Sequence, residues 1–269
     1  MSARSHSQAQ PQPTTTIDRR RLLQYGVLAG ASVAFQSVLP SAAKAASFVP
    51  VFGAARDIGA GANGSVWAIG TNPEPGGFGI YRFNGTSFDQ VPGGAVRIAV
   101  DPSGNAWVTN ALQQIYRFNG AFFEPMPGLA RDIGIGADGS VWVIGADPQL
   151  GGYGIYRWDG AAWDNVPGGA VRIAVDPTGN AWVTNSLRQI YRYDGASFQL
   201  MPGAAFDIGV GGSGSVWVIG ADPQLGGYGI YRFDGASWMK VFGGGVNVTV
   251  DQVGNAWVTN SLNQIYRWV

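Results

Sequence analysis

The chain reads as an all-β protein, a six-bladed β-propeller of four-stranded antiparallel blades, and three observations predict it. First, Trp67, Trp142 and Trp217 recur every 75 residues, and Trp107, Trp182 and Trp257 repeat at the same interval. Second, the step from the first series to the second is 40 residues and the return is 35, so each module is two unequal copies of one unit and six units fill the chain. Third, apolar runs within a unit alternate with tight-turn residues about every ten positions, the pattern of consecutive antiparallel strands. A unit this short cannot bury both faces of its own sheet, so repetition implies stacking; four strands per repeat makes the stack a propeller.

Residues 1–45 stand apart and are expected to be an export signal. A polar stretch rich in Ser, Gln, Pro and Thr leads to Asp18-Arg19-Arg20-Arg21-Leu22-Leu23-Gln24 and a modest apolar run to Leu39. This is similar to a twin-arginine signal. Gln24, Gly26, Gly30 and Gln36 interrupt the run, which argues against a stable membrane span once the signal is removed. Ala43-Lys44-Ala45 offers a small-x-small cleavage pattern, placing the mature start at Ala46 and the protein in a bacterial periplasm or outside the cell.

The blades follow at approximately 54–93, 94–128, 129–168, 169–203, 204–243, and 244–269 joined by 46–53. In the third blade the expected strands are Arg131 to Gly136, Val141 to Gly145, Tyr153 to Trp158 and Ala162 to Val166, separated by Ala137-Asp138-Gly139 and Asp159-Gly160 turns. The sixth unit stops at Val269, one strand short. Ala46-Ser47-Phe48-Val49-Pro50-Val51-Phe52-Gly53 matches Ala196-Ser197-Phe198-Gln199-Leu200-Met201-Pro202-Gly203, so the mature N-terminus is expected to supply the missing outer strand and remove two sheet edges.

Composition narrows the function. Beyond residue 45 the chain holds 12 basic and 16 acidic residues, a mildly acidic body that argues against nucleic acid or anionic membrane as partner. There is no cysteine, and the one histidine, His6, lies in the leader. The usual base and nucleophile of propeller enzymes are therefore absent from the body, and Glu74 and Glu124 are its only glutamates, so no enzyme activity and no cofactor are expected.

With the units aligned, Val166-Pro167-Gly168, Val171 to Val175, Gly179-Asn180-Ala181-Trp182 and Ile190-Tyr191-Arg192 show a pattern that is similar to tectonin repeats and recurs in all six units. The resemblance implies a six-bladed propeller that acts as a lectin and binds surface glycans at repeated sites; it carries over no individual ligand residues. Asp176-Pro177-Thr178-Gly179-Asn180-Ala181-Trp182 also looks like repeats of streptogramin-type lyases, which use histidine chemistry. A propeller lyase or hydrolase is thus the weaker alternative, and a protein-binding scaffold the stronger one.

Two sets of side chains are candidates. Between their second and third strands the long units carry loops such as Gly145 to Tyr153; the short units turn through Thr-Asn instead. Phe78, Tyr153 and Tyr228 beside Asp147, Gln149, Asp222 and Gln224, with Asn110, Asn185 and Asn260 of the short loops, combine aromatic faces with amide and carboxylate groups suited to sugars. All are expected on one face, crowned by the long loops. On the innermost strands, Asp57, Arg97, Asp132, Arg172, Asp207 and Asn247 occupy one equivalent position and alternate acid with base, a structural ion-pair ring that Asn247 breaks. The Asp-Pro-(Ser/Thr)-Gly-Asn loops at Asp101 and Asp176 each offer one carboxylate and a turn, short of a calcium cage, so no metal is expected. The six Tyr-Arg arginines are expected to tie blades together.

Overall fold

A computed structural model describes residues 46–269, which hold 22 strands and no helix among the described residues. The leader, its twin-arginine motif and the cleavage pattern lie outside the described residues. The strands pair antiparallel throughout and fall into six runs of four, consistent with propeller architecture. Unit 1 contains β2 (Asp57–Ala60), β3 (Val66–Glu74), β4 (Gly77–Phe83) and β5 (Phe88–Ala95). Unit 2 contains β6 (Arg97–Val100), β7 (Ala106–Thr109), β8 (Gln114–Phe118) and the first half of β9 (Phe123–Ile135). The second half of β9 opens unit 3, with β10 (Val141–Gln149), β11 (Gly152–Trp158) and β12 (Trp163–Ala170).

Units 4 and 5 repeat this arrangement with β13 (Arg172–Val175), β14 (Ala181–Thr184), β15 (Gln189–Tyr193), the shared β16 (Phe198–Val210), β17 (Val216–Gln224), β18 (Gly227–Phe233) and β19 (Trp238–Gly245). Unit 6 contains β20 (Asn247–Val250), β21 (Ala256–Thr259) and β22 (Gln264–Trp268), and its outer partner is β1 (Phe48–Ala54) from the other end of the chain. Phe48 sits opposite Trp268 and meets its ring edge-on at 5.1 Å.

Two strands run longer than the turn pattern predicts. β9 and β16 each carry an outer strand straight into the next inner strand, and the bend between the halves falls at Gly128 and Gly203, whose φ of +88° and +91° a side chain would resist. β10 likewise extends to Gln149 through a bulge between Ile144 and Pro148, so the long loop is a two-stranded arm with only its tip irregular.

The core lies between units, which is why strands such as Ala181–Thr184 are buried along their whole length. Trp142, Ile144 and Ile155 of unit 3 pack against Ile173, Val175 and Val183 of unit 4. The same contact recurs at each seam and includes Ile58 and Val66 of unit 1 against Trp257 and Ile265 of unit 6. Each of these tryptophans buries enough apolar area to contribute about 2–3 kcal/mol. In the long units the indole also fixes the next unit: Trp67, Trp142 and Trp217 donate Nε1–H to the carbonyls of Gly104, Gly179 and Gly254 at 3.0–3.2 Å.

The Tyr-Arg arginines act within units rather than between them. Antiparallel register sets Arg157 opposite Trp142 and Arg192 opposite Trp182, and each guanidinium lies over that indole. In the short units it also reaches the turn aspartate of its own unit, as in Arg192 to Asp176 at 3.1 Å. That aspartate accepts the Thr178 and Asn180 backbone N–H groups as well, the bonding of a β-turn.

Candidate functional site

Three places hold the predicted side chains. The first is the central channel. Asp57, Asp132 and Asp207 open the inner strands of the long units, and each carboxylate accepts the backbone N–H of the next unit's inner strand: Ile98 at 2.9 Å, Ile173 at 3.0 Å and Val248 at 2.7 Å. Arg97 stands 3.5 Å from Asp57 and 3.9 Å from Asp132, and Arg172 stands 3.5 Å from Asp207. Asn247 cannot reach as far. It donates to the Arg56 carbonyl and to the Thr259 hydroxyl behind it, whereas the equivalent hydroxyls of Thr109 and Thr184 lie buried without a partner among the described residues.

Three carboxylates therefore share two guanidiniums. Burial, reinforced by the neighbouring carboxylates and opposed by the arginines, pushes Asp57 up to about 6 and Asp207 up to about 7, the two that flank Asn247. Asp132, with both Arg97 and Arg172 lowering it, is also raised, again chiefly by burial.

The second place is the set of long arms. Asp147 and Asp222 lie over glycines of the facing strand, Gly154 and Gly229, where any Cβ would collide with the carboxylate. Asp222 accepts from Tyr231 Oη at 2.9 Å, Lys240 Nζ at 2.7 Å and Gln224 Nε2 at 3.1 Å, and the Lys240 ammonium lowers its pKa to about 2. Gln149 similarly donates to Asp147 at 3.2 Å. Phe78, Tyr153 and Tyr228 point away from these carboxylates. Phe78 and Tyr153 line a hollow of about 660 Å³ at the channel mouth together with Arg97, Arg172 and Asn247. Their faces carry guanidiniums, Arg56 at 4.0 Å and Arg131 at 3.9 Å, while Tyr228 stacks on Phe206 at 4.2 Å.

The third place is the seam from each long unit to the next short one. A cleft of about 440 Å³ lies between units 3 and 4, bordered by Leu150, Gly169, Asn185, Gln189, Tyr191 and Phe198. Its counterpart between units 5 and 6, about 730 Å³, holds Leu225, Asn260, Gln264, Tyr266 and Phe48. In both, the Asn side chain accepts two backbone N–H groups of its own loop and donates to the Gln oxygen at 2.8 Å, with the Tyr hydroxyl donating to that same oxygen at 3.3 Å. The Asn thus shapes the loop and presents the Gln amide and Tyr ring to the cleft. Asn110, Gln114 and Tyr116 are bonded the same way in unit 2.

The candidate residues are accordingly not one site: Phe78, Tyr153 and Asn110 border the mouth, Tyr228 is stacked on Phe206, Asp147 and Asp222 lie at the arm surface, and Asn185 and Asn260 border the seam clefts. Gln189, Tyr191 and their counterparts were absent from the sequence-predicted set. Their recurrence after each Thr-Asn was visible, but nothing in one unit's sequence shows that the preceding unit completes a cleft around them.

A model of the tectonin domain matches residues 54–150 and 152–225. Among solved structures, the chain is similar to YCF48 bound to D1 peptide, with a TM-score of 0.54 at 13% identity over 83% of this chain and 96% of that one. It is similar to a streptogramin B lyase at the same TM-score and 15% identity, over 82% and 94%. At such identity the likeness is one of fold. No curated protein is significantly similar in sequence.

Proposed function

The chain belongs to the tectonin domain family, and from that premise we propose that its six units are the blades of one ring closed by β1, and that the ring is an exported lectin. The observation that carries this reading is the repeated cleft. At the seams between units 3 and 4 and between units 5 and 6 a tyrosine ring, a glutamine amide and a bare glycine backbone meet in a shallow groove, the same Asn–Gln–Tyr bonding recurs in unit 2, and a sugar ring offers the complementary C–H face and hydroxyls. Such contacts are individually weak. A millimolar site supplies only about −4 kcal/mol, yet three on one rigid body gain avidity against a surface that displays many copies of a glycan.

A protein-binding ring is the second reading, favoured by apolar side chains on the same face: Leu150 and Leu225 are 99% and 100% exposed, with Leu187, Leu262 and Phe242 beside them. The YCF48 structure, named for its bound D1 peptide, shows a related fold so used. An array displaying glycans and peptides together tests the choice. The lectin reading expects retention on saccharides; retention on peptides alone overturns it.

No enzymatic role is proposed. The described body contains neither histidine nor cysteine, and Glu74 is engaged by Asn72 and Gln90 at the arm surface.

A further inference from the structure

The channel mouth carries a feature at odds with the charge of the body. Arg56 and Arg131 line it, and Arg188 occupies the position equivalent to the lining residue Gln113; none of the three forms an ion pair or donates a side-chain hydrogen bond among the described residues, although acidic residues outnumber basic ones beyond residue 45. Each guanidinium is held instead by its flat face on an aromatic ring: Arg56 on Phe78, Arg131 on Tyr153 and Arg188 on Phe206, at 3.9–4.3 Å. Stacking of this kind fixes the group and leaves its N–H edge open for a ligand.

The third copy shows what is preserved. Position 206, equivalent to Arg56 and Arg131, has lost its arginine to Phe206, which stacks on Tyr228. On the preceding short unit, Arg188 stands where the other two short units have Gln113, itself a lining residue of the mouth, and Asn263, and its guanidinium comes down on Phe206. The junction of units 4 and 5 thus carries a guanidinium on an aromatic stack, although the residue that supplies it differs. Packing alone would not call for that exchange, because Phe206 and Tyr228 already cover each other.

We propose that the mouth is a second binding site, distinct from the seam clefts, for an anionic sugar residue bearing a carboxylate or sulfate. Arg56 and Arg131 grip the acid group, in the forked geometry that guanidiniums make with such anions, and the Arg188 stack extends the same positive rim. The Gln113 amide and the Asn247 amide oxygen supply contacts to hydroxyls. Below them Asp57, Asp132 and Asp207 face the channel, but Arg97 and Arg172 lie among them, so the four guanidiniums that line the mouth outweigh three carboxylates. The hollow of about 660 Å³ falls within the roughly 300–1,000 Å³ of small-ligand sites. The assignment of the anion to a saccharide rests on the lectin reading; the anion preference rests on the arginines.

The test compares the whole exported protein with the double variant Arg56→Gln/Arg131→Gln and with Arg82→Gln, a guanidinium lost from the face of Trp67 instead. The probes are a sulfated chondroitin hexasaccharide, a neutral chitin hexasaccharide and a polyglutamate peptide, at two salt concentrations. The expected result is tenfold or greater preference for the sulfated probe, weakened by salt, abolished in the double variant and kept in Arg82→Gln, with neutral binding unchanged in all three. Equal affinity for sulfated and neutral sugars, or an undiminished preference in the double variant, overturns this inference and leaves the lectin reading standing. No binding of either sugar overturns both, and polyglutamate bound in place of sugars, with the double variant losing it, replaces the sugar by an acidic peptide.

Discussion

Arg172 stands with its Nε 3.5 Å from the Asp207 carboxylate, and on the far side of Asp207, where the repeat would place a third arginine, there is Asn247. The channel therefore holds one carboxylate in excess, and several measurable properties follow from that vacancy of charge.

The first is a pH-dependent stability of unusual sign for aspartates. Asp57 and Asp207 are raised to about 6 and about 7 by burial, so between pH 4 and pH 7 the folded protein binds more protons than the unfolded chain. Their favourable contribution is complete below the unfolded value near 4 and is lost as pH rises through 6 and 7. The melting temperature is expected to fall from pH 5 to pH 8, by a loss on the order of 2 kcal/mol. Scanning calorimetry at fixed ionic strength checks it; a profile flat or rising over that range refutes it.

Asn247→Arg should complete the alternation. The positions of Arg97 and Arg172 show that the site accommodates the longer side chain, which would exchange the bond to the Thr259 hydroxyl for a contact with Asp57 or Asp207. At pH 8 the variant is expected to be more stable by about 1–2 kcal/mol, while at pH 4–5, where the surplus carboxylate is already protonated, the gain should vanish. Denaturant titrations at the two pH values separate these outcomes.

Matched tryptophans test the seams. Trp142 donates to the Gly179 carbonyl, but the Nε1–H of Trp182 is buried with no acceptor among the described residues. Trp142→Phe strands a carbonyl and loses a hydrogen bond; Trp182→Phe removes a donor that had no partner. The first is expected to cost about 1 kcal/mol more than the second in chemical denaturation. Equal losses would mean that the indole bond adds nothing to the joint between units.

Deletion of residues 46–53 removes the partner of β22 and the ring of Phe48, which packs against Trp217 and Trp268. Loss of that burial and pairing should lower the melting temperature by about 10 °C. An unchanged melting curve contradicts a structural role for β1.

How much of this the sequence discloses depends on whether one unit suffices to see it. The turn at each Asp-Gly and the match of Phe48 to Phe198 are local, so the repeat displays them. The alternation of Asp57, Arg97, Asp132 and Arg172 is equally visible, because equivalent positions meet around a channel. What the repeat hides is the direction of a side chain relative to the neighbouring unit. Nothing in the spacing of Arg131 and Tyr153 says that one covers the other, or that Tyr191 faces a glycine edge left by Gly169. The Tyr-Arg arginines likewise look alike in sequence, and only the register shows that they serve their own units.

The most direct test of the lectin reading is the number of glycans the protein holds. An NMR titration with a saccharide retained on the array should saturate three equivalent sites per chain at the long-to-short seams, and Tyr191→Ala should reduce the count to two without changing the fold. One site per chain, or three that survive Tyr191→Ala, Tyr116→Ala and Tyr266→Ala together, would contradict it.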